Sequence, residues 1–74
     1  MTVKNFIKVL DYDIQNNSAV HCKSWDRLNG FRNWNGNDKE IQSAKIMNVT
    51  IEKGNGFIFN IDIDINKLRD KGVL

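Results

Sequence analysis

The middle of the chain carries the side chains best suited to binding another molecule. Within a segment rich in glycine and asparagine stand three aromatic and three basic residues: Trp25, Arg27, Phe31, Arg32, Trp34 and Lys39. Aromatic and arginine side chains are enriched where proteins bind proteins tightly, because they offer a large contact area with few rotamers. The same combination can stack the bases and contact the phosphates of single-stranded nucleic acid.

These aromatic residues also have a competing structural role. A small domain needs large side chains to close its core, and a long loop must be fixed to something. We therefore expect Trp25 and Phe31 to serve mainly in the core. Trp34 lies between two asparagines, and we expect it to be the most exposed of the three.

A second candidate site lies near the C-terminus, where Asp62 and Asp64 share the polar face of a predicted strand with Asn60. Residues two apart on a strand have Cα atoms roughly 7 Å apart. Such carboxylates could bind Mg²⁺ or Ca²⁺, with Asn60 or Asn66 as a further oxygen ligand. A two-metal nuclease needs more acidic groups than this, so we expect a solvated face. The candidate ion-pair partners for it are Lys4, Lys8 and Lys45.

His21 and Cys22 are the remaining reactive side chains, and they are neighbours in a predicted strand. Their side chains should therefore point to opposite faces, which argues against a Cys–His nucleophile pair. Cys22 is expected to be a small buried hydrophobic residue. One cysteine and one histidine cannot complete a four-ligand zinc site in a monomer. With no phosphate-binding glycine loop or nucleophile elbow either, the sequence predicts no enzyme, no cofactor, no metal and no small-molecule substrate.

The size and charge of the chain limit which folds and which binding partners the sequence predicts. Its 74 residues, 41% of them hydrophobic and none of them proline, have room for one small domain but not for a doubly wound sheet or a TIM barrel. The formal net charge of +2 gives no polybasic footprint, which makes nucleic acid the less favoured partner. A core of this size seldom supplies more than about 3–5 kcal/mol, so we also expect a homodimer.

The cellular compartment is predicted from the absence of a long apolar segment in the sequence. Lysines break up the N-terminal segment, and the longest uninterrupted aliphatic or aromatic run is Phe57 to Phe59. Neither a signal-peptide core nor a membrane span fits this pattern, which predicts a cytoplasmic protein that does not bind membranes. Abundant isoleucine, lysine and asparagine, which have AT-rich codons, favour an AT-rich bacterium or one of its phages or mobile elements.

The clearest structural element is a C-terminal hairpin. Alternate positions from residue 57 are apolar and define one face of a strand: Phe57, Phe59, Ile61, Ile63 and Ile65. The preceding run, residues 44–53, is separated from it by Gly54-Asn55-Gly56, a turn signal. A three-residue loop keeps the two apolar faces together, setting Ile51 opposite Phe59, Val49 opposite Ile61 and Met47 opposite Ile63.

The first third of the chain is read as a second hairpin, with residues 3–14 and 19–25 as its strands. Val3, Ile7, Leu10 and Ile14 also recur at helical spacing with Thr2 available as an N-cap, so a helix over this segment remains the alternative. A short helical piece is predicted at Trp25 to Asn29, between Ser24 as cap and Gly30 as stop. The C-terminal segment, residues 66–74, is predicted to be either a short turn of helix, with Asn66 before it and Gly72 after it, or a frayed tail.

Together these patterns predict a mainly β fold, with a β-rich α+β fold as the alternative. Two antiparallel hairpins form a four-stranded sheet or a small, partly open barrel, with short helical turns in the middle loop and tail. The single domain divides into an N-terminal hairpin (1–25), an aromatic loop (26–43), a C-terminal hairpin (44–65) and a tail (66–74). The predicted function is a small non-enzymatic protein-binding module, an accessory protein of a phage or mobile element that inhibits or modulates a host protein, including one used in defence. The alternative function is a single-stranded nucleic-acid-binding module.

Overall fold

The protein folds around one four-stranded sheet, as seen in a computed structural model that describes residues 1–10, 14 and 17–74. The elements in chain order are α1 (Val3–Val9), β1 (Ser18–Asp26), β2 (Gly30–Asn35), a 3-10 turn (Lys39–Ile41), β3 (Ile46–Lys53), β4 (Phe57–Ile63) and α2 (Ile65–Asp70). The strands are ordered β2-β1-β4-β3. Pairs β1–β2 and β3–β4 are antiparallel, whereas β1 and β4 are parallel. The predicted mainly β fold with two antiparallel hairpins in one sheet is confirmed, and the sheet is open.

The N-terminal segment is helical, so the prediction of a strand beginning at residue 3 is wrong and the alternative is correct over α1. The Thr2 hydroxyl accepts a hydrogen bond from the Asn5 backbone N–H at 3.2 Å and caps the helix. Val3 is buried, and Phe6 and Ile7 pack against the core. Apolar residues three and four apart form the single face that a helix can bury. Of the rest of the predicted strand, residues 11–13 lie outside the described residues, as do residues 15–16 of the turn predicted to follow.

The first hairpin is built from β1 and β2, so the part of the predicted aromatic loop from Gly30 to Asn35 is in fact a strand. Cys22 pairs with Trp34, and Trp25 pairs with Phe31. The helical turn predicted from Trp25 to Asn29 is also wrong, because Trp25 still belongs to β1. Gly30, with φ +78°, opens β2 directly after the turn, in a conformation that glycine adopts without strain.

The C-terminal hairpin is confirmed in loop length and largely in register. Three residues separate β3 from β4, and Ile51 lies opposite Phe59 while Val49 lies opposite Ile61. Ile51 is nevertheless exposed, because β3 is an edge strand and no further strand of the described residues pairs with its far side.

The predicted pairing of Met47 with Ile63 is wrong. Ile46 pairs with Ile63, and a bulge between Ile46 and Asn48 leaves Met47 without a cross-strand partner. A β-bulge inserts one extra residue into a strand and redirects its side chain. Met47 is consequently 66% exposed rather than part of the core.

The sheet has one covered and one open face. The inner face carries Cys22, Trp34 and Ile61, and α1 and α2 pack on it; the Phe6 and Phe59 rings meet edge to face at 5.4 Å. Among the described residues, no helix covers the opposite, outer face. The core consists of Val3, Cys22, Trp34, Ile41, Ala44, Ile61, Ile63, Ile65 and Leu68.

Helix α2 begins two residues earlier than the predicted tail helix. Its N-cap is Asp64, whose Oδ1 accepts hydrogen bonds from the backbone N–H groups of Asn66 at 3.1 Å and Lys67 at 3.4 Å. Asn66, the predicted N-terminal boundary, lies inside the helix. Gly72 follows the helix with φ +77°, as expected for a C-terminal stop. No helix in the described part of the chain is long and apolar enough to cross a membrane.

The loop between β3 and β4 provides a stability test with a matched control. A Cβ atom added at Gly56 would overlap the backbone carbonyl of Asn17, whereas one added at Gly54 meets open space. Asn17 is held there because its carbonyl accepts a hydrogen bond from the Phe57 N–H at 3.0 Å. Overpacking of this kind costs roughly 1–3 kcal/mol, and each kcal/mol shifts Tm by about 4–8 °C in a domain of this size. We expect Gly56→Ala to lower Tm, measured by circular dichroism, by about 10 °C and Gly54→Ala by less than about 3 °C. Equal Tm values for the two variants would contradict the close approach of β4 to Asn17.

Candidate binding surface on the outer face of the sheet

Two aromatic side chains stand exposed at one end of the outer face. Trp25 and Phe31 are cross-strand partners in β1 and β2, and their exposed fractions are 53% and 84%. The prediction that they fill the core is therefore wrong. Alternate residues of β1, namely Cys22, Ser24 and Asp26, face inward, so Trp25 must face outward.

Trp34 is the aromatic residue of this segment that enters the core, contrary to the expectation that it is exposed. It is 5% exposed, and its Nε1–H donates a hydrogen bond to Glu40 Oε1 at 2.7 Å. The Arg32 guanidinium lies 4.9 Å from the centre of the Trp34 ring. Both side chains belong to the inner face, so neither joins Trp25 and Phe31.

Trp25 and Phe31 help to line a shallow space that we call the aromatic groove. Its volume is about 360 Å³, and its lining is Lys23, Ser24, Trp25, Phe31, Met47, Asp62 and Ile63. Across it, Lys23 Nζ and Asp62 Oδ1 form an ion pair at 3.7 Å between two half-exposed side chains. The lining of the groove therefore combines two exposed aromatic side chains with an ion pair whose opposite charges cancel.

The predicted polar face is only partly realised. Asn60 and Asp62 lie on the outer face, and Asn60 Nδ2 donates to Glu52 Oε1 at 3.3 Å. Asp62 is paired with Lys23, and none of the lysines named in the sequence prediction is its observed partner. Asp64 lies beyond the end of β4, where its carboxylate caps α2. Within residues 1–10, 14 and 17–74, no group of three His, Cys, Asp or Glu side chains is placed to hold a metal ion.

The remaining candidate residues lie outside the groove. Arg27, in the turn after β1, donates from its Nη2 to Asp70 Oδ1 at 2.6 Å, and this hydrogen bond raises the pKa of Arg27. Lys39 begins the 3-10 turn after β2 and does not line the groove. The structure thus brings together Trp25, Phe31 and Asp62 from the predicted set.

A buried ionic cluster behind the groove was missed by the sequence prediction. Asp26 is fully buried, and it accepts hydrogen bonds from Arg69 Nη2 at 2.6 Å and Nε at 3.2 Å. Its carboxylate also accepts from the Leu28 backbone N–H and from Asn29 Nδ2. The hydrogen bonds from Arg69 lower the pKa of Asp26 well below its usual value. The cluster joins α2 to the turn between β1 and β2.

A second set of polar contacts strengthens that junction. The Ser24 hydroxyl accepts from the Ile65 backbone N–H at 3.0 Å. Asn66 bridges the end of β1, donating to the Trp25 carbonyl at 3.1 Å and accepting from the Arg27 backbone N–H at 3.0 Å. Because these contacts flank Trp25 on both sides in sequence, α2 fixes the backbone that presents the aromatic pair.

Cys22 and His21 point to opposite faces, as predicted. Cys22 is fully buried in the core, whereas His21 is exposed on the outer face. Burial raises the pKa of the Cys22 thiol to about 11, and the negative charge of Asp38 adds to this effect. The thiol therefore stays protonated at neutral pH, and the thiolate that nucleophilic chemistry requires is scarce.

Comparison with known proteins found no significant match to a family model, to a curated protein or to a solved structure. The proposals below therefore rest on the geometry of the chain itself.

Proposed function

We propose that this chain is a non-enzymatic protein-binding module whose contact surface is the aromatic groove. The observation that carries the proposal is the exposed pair Trp25 and Phe31 on a sheet face that the described helices leave uncovered. Exposed apolar side chains grouped together commonly mark interaction sites. Aromatic side chains near the centre of an interface supply much of its binding energy.

The way in which the pair is held also supports binding. Trp25 lies within a regular strand, and three residues of α2 restrain the backbone around it. Ile65 is bonded to Ser24, Asn66 to the Trp25 carbonyl, and Arg69 to Asp26. A surface that is already ordered loses little conformational entropy when a partner binds. Most of the free energy gained by burying the two rings therefore contributes to the affinity, because little of it is offset by ordering the surface.

The charges beside the groove favour a protein partner over single-stranded nucleic acid. Lys23, which lines the groove, is paired with Asp62. Outside the groove, Arg27 is paired with Asp70 and Arg32 with Asp26. A phosphate group would have to compete with a carboxylate for each of these cations. Nucleic-acid binders of this kind combine stacking aromatics with cations that follow the backbone, and Lys23, the basic residue that lines the aromatic groove, already has a carboxylate partner.

Affinity capture with matched variants tests this proposal. Tagged wild type, Trp25→Ala/Phe31→Ala and the outer-face control Asn33→Ala are each incubated with a lysate of an AT-rich bacterium. Hot-spot side chains contribute about 2 kcal/mol or more each. We expect the double variant to recover at least about tenfold less of the partner protein than the wild type does. Asn33→Ala should recover as much as the wild type.

Two results would argue against the proposal. The first is equal recovery of the same proteins by the double variant while its Tm stays near that of the wild type. The second is tight, salt-sensitive binding of single-stranded DNA or RNA, measured by fluorescence anisotropy at two salt concentrations, because phosphate contacts release counterions. If the captured protein is a host enzyme, inhibition of that enzyme by the wild type alone would extend the proposal to an accessory role in a phage or mobile element.

A further inference from the structure

A second groove adjoins the aromatic groove and shares one residue with it. This lysine groove has a volume of about 260 Å³ and includes Lys45, Lys67, Lys71, Asp64 and Leu68 in its lining, together with Met47. Met47 also lines the aromatic groove. The bulge that displaces Met47 from the core therefore places its side chain where the two grooves meet.

The lysine groove is positively charged. Three lysines face one aspartate, and the Asp64 carboxylate already accepts hydrogen bonds from two backbone N–H groups of α2. The resulting excess of two positive charges equals the formal net charge of the whole chain. The excess positive charge of this lining lies beside the aromatic groove, with which the lysine groove shares Met47.

We propose that the two grooves form one continuous surface for an acidic protein segment that carries an apolar anchor. This inference rests on the proposed function, and it adds the chemistry of the partner. The anchor covers Trp25 and Phe31, and partner carboxylates lie against Lys45, Lys67 and Lys71. Met47 contacts the segment between them, where its flexible, polarisable side chain adapts to different shapes.

The aromatic groove and the lysine groove contribute to binding in different ways. Apolar contact with the aromatic groove supplies most of the affinity, whereas the lysines steer acidic segments towards it and discriminate against basic ones. A protein segment can offer a large apolar side chain and carboxylates together. A phosphate group beside the aromatic rings would instead have to compete with Asp62 for Lys23.

A displayed library of random twelve-residue peptides provides the probe. The library is selected on the wild type and counter-selected on Trp25→Ala/Phe31→Ala, and an enriched peptide is synthesised and measured by fluorescence anisotropy. We expect enriched peptides to combine Asp or Glu with an aromatic or large aliphatic residue. We expect Lys67→Gln/Lys71→Gln to weaken binding at least about fivefold at low salt, and less at high salt because ions screen the attraction. The control Lys53→Gln removes one exposed lysine outside both grooves and should leave affinity unchanged.

Each other outcome overturns a specific statement. Peptides that lack acidic residues, bind through the aromatic pair and ignore the lysine substitutions overturn the acidic partner while leaving the proposed function intact. Peptides retained equally by the aromatic variant, or a library that yields no enrichment, overturn the proposed function and this inference with it. The wild type could also bind single-stranded RNA, or phosphatidylserine-containing vesicles, more tightly than any selected peptide. If Lys67→Gln/Lys71→Gln abolishes that binding, the lysine groove binds phosphate groups and the acidic protein partner is wrong.

Discussion

Replacing Trp34 with alanine is expected to leave the domain largely unfolded at 25 °C. Truncation of a buried tryptophan costs about 3–5 kcal/mol, from lost burial and from the cavity it leaves. A core in a chain of this length seldom supplies more than about that amount in total. Trp34 lies in the core opposite Cys22, and its indole N–H is bonded to Glu40. Far-ultraviolet circular dichroism and urea unfolding would record the loss of the folded state.

Two milder substitutions make this result specific to position 34. Trp34→Phe keeps a ring in the core but loses the hydrogen bond to Glu40, and we expect it to cost about 1 kcal/mol from that bond plus a packing loss. Phe31→Ala removes a ring that is almost fully exposed, and we expect a change within about 0.5 kcal/mol. A larger loss of stability from Phe31→Ala than from Trp34→Ala would mean that the aromatic residues are assigned to the wrong faces.

The C-terminal hairpin could be predicted because its inner face is marked by apolar residues. From Phe57 onward every second side chain is apolar, and a one-residue slip would expose the whole set. The bulge at Met47 could not be read in this way. Ile46 and Met47 are adjacent and both apolar, so alternation alone does not decide which of them faces the core.

The aromatic pair was misassigned because the inner face of the first hairpin is partly polar. Ser24 and Asp26 on β1 and Arg32 on β2 face inward, so hydrophobic alternation does not reveal which face is buried. The burial of Ser24 and Asp26 depends on Ile65 and Arg69, more than thirty residues away. Hydrogen-bond partners so far apart in the chain leave no pattern in the local sequence. The parallel pairing of β1 with β4, which brings α2 into place, leaves none either.

The buried Asp26 carboxylate carries the other large expected effect. Asp26→Asn should lower Tm by more than about 10 °C at pH 7, because Arg69 then lies beside a neutral group while both side chains stay largely buried. Arg69→Met, which leaves Asp26 without its principal partner, should act in the same direction. The control is Asp70→Asn, which removes the exposed ion pair with Arg27; surface pairs contribute little, so its Tm should change by less than about 3 °C.

The pH dependence of the Tm difference between the wild type and Asp26→Asn separates an ionic role of Asp26 from a purely steric one. The folded state lowers the pKa of Asp26 below its ordinary value of 3.8, so the stability it contributes is fully present above about pH 4 and is lost as the pH falls towards the folded-state pKa. Scanning calorimetry of the wild type and Asp26→Asn from pH 7 to pH 2 should therefore show a Tm difference that is constant above about pH 5 and narrows below about pH 4. Other carboxyl groups titrate in both proteins and cancel in the comparison. A difference that stays constant down to pH 2 would mean that the substituted amide disturbs packing and that the charge on Asp26 does not stabilise the fold.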